Sequence, residues 1–166
     1  MEHVAHPFAP VVDPNCHTLI LGSFPSVKSR KNAFYYGHPQ NRFWRMLAAV
    51  FQEELPADIP AKKALLLRHG IALWDVIASC EIHGSSDASV RNAVPVDIAQ
   101  ITEIADIRRV ICNGTLAAKL YSKHLKPIMG MEALTAPSTS PANAAWSLDR
   151  LTGIWQPLLT NTEGRV

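Results

Sequence analysis

Residues 17–22 read His17-Thr18-Leu19-Ile20-Leu21-Gly22, a short apolar and partly β-branched run closed by a glycine. Its length and flanks predict a strand covered on both faces, the form in which parallel sheets show themselves in sequence. Ile71-Ala72-Leu73-Trp74-Asp75-Val76-Ile77 and Arg109-Val110-Ile111-Cys112 have the same character, and Ala133-Leu134-Thr135 is a weaker fourth run. Between these runs the period changes. Phe43, Met46, Leu47 and Val50 recur at helical spacing within 41–51, and a second helix is predicted from Pro60 to Gly70. Asp97 can cap a helix over Ile98, Ile101 and Ile104, Thr115 one from Leu116 to His124, and Ser147 a last one through Leu151, Ile154, Trp155 and Leu158. Strands alternating with helices predict an α/β fold: one three-layer α/β/α domain over 1–166, with a central, mainly parallel sheet of about four strands. Residues 1–16, with Pro7, Pro10 and Pro14, are expected as an irregular lead-in.

Composition narrows the function classes. Of 166 residues, 48% are apolar and 18% charged, which excludes disorder as a description of the chain. The apolar runs fall well below the roughly 18 residues of a membrane span, and Met1-Glu2-His3 does not open like a signal peptide. A cytoplasmic protein without membrane contact is expected. The three cysteines, Cys16, Cys80 and Cys112, and the seven histidines are dispersed, so neither a metal nor another cofactor is expected. Fingerprints for a dinucleotide, a P-loop and a hydrolase elbow are missing. The net charge of +2 hides a local imbalance: Lys28, Arg30, Lys31, Arg42 and Arg45 fall within 28–45 with no acid among them. Such a run is either a solvated face or a contact with an anionic polymer.

In open α/β sheets ligands bind beyond the carboxyl ends of the strands. The loops expected there are 22–40, 79–95 with Asn113-Gly114, and 137–145. The first combines Phe34-Tyr35-Tyr36 with amides and cations, a mixture suited to a planar base on a phosphodiester backbone. Phe43 and Trp44 read more simply as packing for the helix that follows. The second loop brings Ser85, Ser86, Asp87 and Arg91, which can approach a base or an opposite strand.

These residues also carry a resemblance. Segment 22–44 resembles the first motif of the uracil-DNA glycosylase superfamily, especially its mismatch-specific uracil/thymine branch. There a G-x-N-P turn after the first strand leads to an aromatic, then to H-P-x-N-R-F-W and a helix. Gly22 and Pro25 match the turn, and His38-Pro39-Gln40-Asn41-Arg42-Phe43-Trp44 matches the word. Pro137-Ser138-Thr139-Ser140-Pro141-Ala142-Asn143 is similar to the last motif, a Ser/Pro-rich loop before the final helix. The Asn or Asp that positions the hydrolytic water in the family aligns with Phe24. In this the turn Gly22-Ser23-Phe24-Pro25-Ser26 resembles the hypoxanthine-directed (deoxyinosine) branch, whose amide lies elsewhere.

The resemblance implies a uracil-DNA glycosylase-like fold and a monomeric repair enzyme. Its partner is DNA with a deaminated base, hypoxanthine or uracil, whose N-glycosidic bond it hydrolyses to leave an abasic site. With no lysine placed as a Schiff-base nucleophile, strand cleavage is not expected. For the missing amide Asn41 is the first candidate and Asn113 the second. Tyr36 would cover the flipped base, with Tyr35 as alternative, and the backbone N–H groups of Ser23 and Phe24 would meet its carbonyl. Asp75 is a carboxylate for the base or a structural hydrogen-bonding group. Ser138, Thr139 and Ser140 would grip phosphates with Ser26, Lys28 and Arg30, and Asn143 would enter the minor groove. Two other readings stand beside this one: a hydrolase of free nucleosides, and a nucleic-acid-binding module without catalysis.

Overall fold

The apolar runs form the middle of the molecule. The computed structural model describes residues 2–6, 8–24, 34–82 and 91–160. Along the chain the elements are β1 (Glu2–Ala5), β2 (Thr18–Gly22), α1 (Phe43–Phe51), α2 (Ile59–Arg68), β3 (Ile71–Asp75), β4 (Ile77–Ile82), β5 (Arg91–Pro95), α3 (Ala99–Thr102), β6 (Arg109–Asn113), α4 (Thr115–His124), α5 (Lys126–Met129), β7 (Ala133–Ala136) and α6 (Leu148–Thr160). Four strands make a parallel sheet in the order β3-β2-β6-β7. Every residue of β2 and β3 is buried, so both sheet faces are covered, as an α/β/α arrangement requires. Helix α2 packs on β3, α4 on β6 and β7, and α6 on α1 and β7. Burying Leu19, Ile20 and Leu21 contributes about 1.5–3 kcal/mol for each side chain.

The register aligns the ends of the strands. Gly22 lies opposite Asp75, Leu21 opposite Cys112, and Asn113 opposite Ala136. Gly22, Asp75, Asn113 and Ala136 therefore form one row across the carboxyl edge of the sheet.

Two expectations need correction. The N-terminal lead-in is not irregular throughout: β1 pairs antiparallel with β4, and Val11 forms a bridge with Leu73. The prolines do not oppose β1 because all three follow it. The stretch read as one strand over 71–77 and a loop over 79–95 is instead two strands and a hairpin arm. Val76 breaks the run, donating its N–H to the Gly22 carbonyl (2.9 Å) while Ile77 donates to that of Ser23 (3.1 Å). The chain then enters a second, antiparallel sheet of order β1-β4-β5. Smaller differences are local. The helix expected through Ile104 ends at Thr102 and leaves Ile104 exposed, and α4 is capped by Gly114 at φ +98° without a Thr115 side-chain bond. Asp97 and Ser147 do accept backbone N–H bonds, from Ala99 (3.2 Å) and Arg150 (3.2 Å).

Candidate active site

The strand-end row collects polar groups from five segments. Asp75, the last residue of β3, is buried, and its Oδ2 lies 2.8 Å from His6 Nε2. His6 arrives from the segment after β1, anchored by its own N–H on the Ala78 carbonyl (2.6 Å). Its Nδ1 accepts the Phe8 N–H (3.2 Å), which makes Nε2 the protonated nitrogen and Asp75 the acceptor. The second carboxylate oxygen faces Gly22. A Cβ there would collide with Asp75 Oδ1 and stand 2.9 Å from the Tyr36 hydroxyl, so only glycine allows the three to meet.

Tyr36 adopts φ +55°, a conformation that non-glycine residues seldom take and that the surroundings must impose. Its ring stacks on Phe43 at 4.2 Å and 29°. The hydroxyl is buried and has no hydrogen-bond partner, and Asn113 approaches it without completing a bond. Burial, and after it the negative charge of Asp75, raise the Tyr36 pKa far above the usual phenol range, so the group stays a donor. Tyr35 is different: it is buried, its hydroxyl donates to the Ala9 carbonyl (3.0 Å), and its carbonyl receives Trp44 Nε1–H (3.0 Å). Its place is in the packing. Phe43 and Trp44 are likewise buried in the core, as the simpler reading of them expects.

The other half of the row is closed on itself. Asn113 donates from Nδ2 to Thr139 Oγ1 and accepts the Thr139 N–H at Oδ1, both at 3.0 Å. Thr139 is 0% exposed, so the phosphate grip expected of its hydroxyl has no surface to act from; its carbonyl accepts the Arg42 N–H. The Arg42 guanidinium donates to the carbonyls of Ser140 (2.8 Å), Asn143 (3.1 Å) and Trp146. A cation read from sequence as part of a basic run is thus a clamp that holds loop 138–146 against the start of α1. Ser138 Oγ accepts the Ser140 N–H and Ser140 Oγ the Ala142 N–H, both at 3.1 Å, which leaves each hydroxyl proton available outward. Asn143 Nδ2 donates to the Ser138 carbonyl (3.0 Å), fixing its side chain within the loop.

Asn41 sits at the mouth of α1, its Oδ1 accepting the Phe43 N–H at 2.9 Å. This is an Asx turn one residue before the N-cap, Arg42, and it leaves Nδ2 for another partner. Ser23 stands just past β2 and gives its carbonyl to Ile77, while the Phe24 ring meets His6 edge-on at 5.9 Å. Ser26, Lys28, Arg30, Lys31, Ser85, Ser86 and Asp87 lie outside the described residues, as does the Arg91 side chain. Sequence reasoning missed His6 and the clamp role of Arg42. Nothing local marks His6, whose partner is 69 residues away, and Arg42 binds backbone carbonyls, which no pattern of side chains reveals. Among the described residues no group of His, Cys, Asp and Glu is placed to hold a metal ion, and no helix is long and apolar enough to cross a membrane.

Comparison with known proteins agrees with this geometry. The family model of the uracil DNA glycosylase superfamily matches residues 9–159. A hypoxanthine DNA glycosylase of Methanosarcina acetivorans is 36% identical over 144 residues, covering 86% of this chain and 90% of the relative. One of Methanosarcina barkeri is 33% identical over 138 residues, covering 82% and 86%. A solution NMR structure from M. acetivorans, described as a candidate uracil DNA glycosylase, superposes with a TM-score of 0.76 at 33% identity, over 94% of this chain and 96% of that one. Word, strand-end row and overall match agree: this chain belongs to the uracil-DNA glycosylase superfamily.

Proposed function

We propose that the chain is a monofunctional DNA glycosylase that removes hypoxanthine, and more weakly uracil, from DNA. The observation that carries this reading is the meeting of two groups beside Gly22: Oδ1 of the buried Asp75, whose other oxygen is held by His6, and the Tyr36 hydroxyl, a phenol donor buried without a hydrogen-bond partner. Deamination turns the edge of adenine or cytosine into an –NH–C(=O)– unit. An acceptor for its N–H beside a donor for its carbonyl matches that edge, whereas adenine presents a lone pair and an amino group to the same two atoms. Buried polar groups left unpaired by the wrong base give strong discrimination. Tyr36 offers its hydroxyl to that edge, and with Phe43 behind one face its half-buried ring keeps the other face for the flipped base. The Ser23 N–H lies beside the same edge.

The base reaches this floor only when its nucleotide is flipped from the duplex, at a cost of a few kcal/mol of stacking. Water then attacks C1′, the C1′–N bond breaks with its electron pair leaving on the base, and the proton that the water gives up ends on the released base. Donors aimed at the base stabilise the charge that develops there. Asn41, its Oδ1 fixed by the Phe43 N–H, offers Nδ2 to hold the water, and Phe24 can play no such part. Asn113 acts through Thr139 as a positioning residue for the loop. The Ser138 and Ser140 hydroxyls reach phosphate and Asn143 borders the groove.

A panel of oligonucleotides holding one hypoxanthine, uracil or mispaired thymine, treated with alkali after incubation, tests the reading. Scission at hypoxanthine first, with none before alkali, is expected. Hydrolysis of free inosine without action on the oligonucleotides, or binding without scission, would overturn it.

A further inference from the structure

We propose that His6 is a positioning residue of the active site, holding the Asp75 carboxylate as a fixed acceptor for the base, so that the segment following β1 is part of the site. This rests on the reading of Asp75 given above. The imidazole is enclosed: Phe8 meets it at 5.0 Å, Tyr35 at 5.7 Å and Phe24 at 5.9 Å, and its side chain is 5% exposed. Within that cage the Phe8 N–H occupies Nδ1, so the ring presents an N–H only from Nε2, and that N–H ends on Asp75 Oδ2. Rotation about the last side-chain bond of Asp75 is thereby stopped with Oδ1 toward Gly22 and Tyr36.

A purely structural role accounts poorly for this arrangement. A buried polar pair stabilises a fold no better than apolar side chains of the same volume, because both partners must be desolvated. Structural carboxylates in protein interiors also have both oxygens satisfied. Here one oxygen is held by His6 and the other faces Gly22 beside the unpaired Tyr36 hydroxyl, at the carboxyl edge of the sheet where a ligand is expected. A neutral imidazole orients the carboxylate without neutralising it, and so leaves Oδ1 a strong acceptor. Groups that fix the orientation of a reacting or reading residue contribute through geometry rather than contact with substrate.

The test is a mutant cycle read by single-turnover excision of hypoxanthine, with DNA binding and thermal melting measured for each variant. His6→Leu should lower the excision rate about 10- to 100-fold, the size of one hydrogen bond to a charged group, with little change in DNA affinity. His6→Gln keeps a donor where Nε2 stood and should recover most of the rate. If His6 acts through Asp75, the double variant His6→Leu/Asp75→Asn should be no slower than Asp75→Asn alone; additive losses would overturn the proposal. So would a folded His6→Leu variant with the parent rate while Asp75→Asn is inactive. Parent-like excision by Asp75→Asn would instead sink the reading of Asp75 itself. Should His6→Leu fail to fold, ¹⁵N spectra of the unaltered protein decide: a bare Nδ1 and protonated Nε2 are expected, and the opposite tautomer or an imidazolium at neutral pH overturns the assignment.

Discussion

The two ends of the strand-end row treat their polar atoms differently. On the β6–β7 side Asn113 and Thr139 exchange two hydrogen bonds, Arg42 closes on three loop carbonyls, and the loop serines and Asn143 bind backbone groups. On the β2–β3 side Asp75 is held by one oxygen, and the Tyr36 hydroxyl is buried without a partner. Leaving a buried polar group unpaired costs about 1–3 kcal/mol, so folded interiors rarely do it. The difference separates scaffold from site: one half is closed on itself in the free protein but for one guanidinium nitrogen, and the other is completed by substrate. Arg42 Nε and Trp74 Nε1 are also buried and unpaired, the first within a guanidinium whose other nitrogens are engaged.

Substitutions can break this contrast, and the largest effect belongs to Asp75. Asp75→Asn should lower hypoxanthine excision about 10²- to 10³-fold, the usual cost of removing one preorganised group from a site, while the fold melts within a few degrees of the parent. Loss of folding with parent-like rates in the residual native fraction would move Asp75 to the scaffold half. Arg42→Lys is the reverse case. A lysine cannot reach three carbonyls in a planar fork, so stability should fall by about 2–4 kcal/mol in urea unfolding, with weaker DNA binding and a nearly unchanged single-turnover rate at saturating enzyme. A parent-like urea midpoint would show that the loop holds itself.

Asn41 stands at the border of the two halves, and one substitution separates its roles. A serine hydroxyl can make the same turn to the N–H two residues on, only more weakly. Asn41→Ser should therefore keep most of the stability at the entrance to α1, while removal of the amide lowers turnover roughly tenfold to a hundredfold. Equal rates with equal stability would leave Asn41 as a structural turn alone.

The contrast also explains what could be read in advance. Leu19-Ile20-Leu21 and its counterparts announced the sheet because a strand buried on both faces is apolar at every position, and the strand-end rule then placed Gly22 and Asn113 together; Asp75, read inside a strand over 71–77, joins them because β3 ends at it. Glu2-His3-Val4-Ala5 has no such signature: it is four residues long, and its partners are at 79–82. His6 and Asp75 meet only because β1 pairs with β4, which no local pattern encodes. Asn41 permitted both a structural turn and catalysis from sequence, since Oδ1 can serve the backbone while Nδ2 serves the reaction. Arg42 was read as one cation of a basic run and Thr139 as a phosphate contact, although tertiary contacts commit each to the other's segment.

The smallest effect is the sharpest probe of the unpaired half. Tyr36→Phe removes a buried hydroxyl that has no partner, so near neutral pH the variant should be as stable as the parent or more stable by up to about 1 kcal/mol. Excision should nevertheless fall about tenfold through loss of one neutral hydrogen bond to the base. The alkaline limb gives an independent check of sign. Burial, then Asp75, raise the Tyr36 pKa above the value of about 10 in the unfolded chain. Its contribution to stability is therefore complete below about pH 10 and is lost as pH rises from there toward the folded value, because only the unfolded chain can ionise. In the variant that loss disappears, so urea midpoints measured from pH 8 to 11 should decline less steeply. They still decline, because burial also pushes Cys16 up to about 11 and Cys112 up to about 12. A variant less stable at neutral pH with unchanged excision would place the Tyr36 hydroxyl with the scaffold, and the division between the two halves of the row would fail at its most exposed assumption.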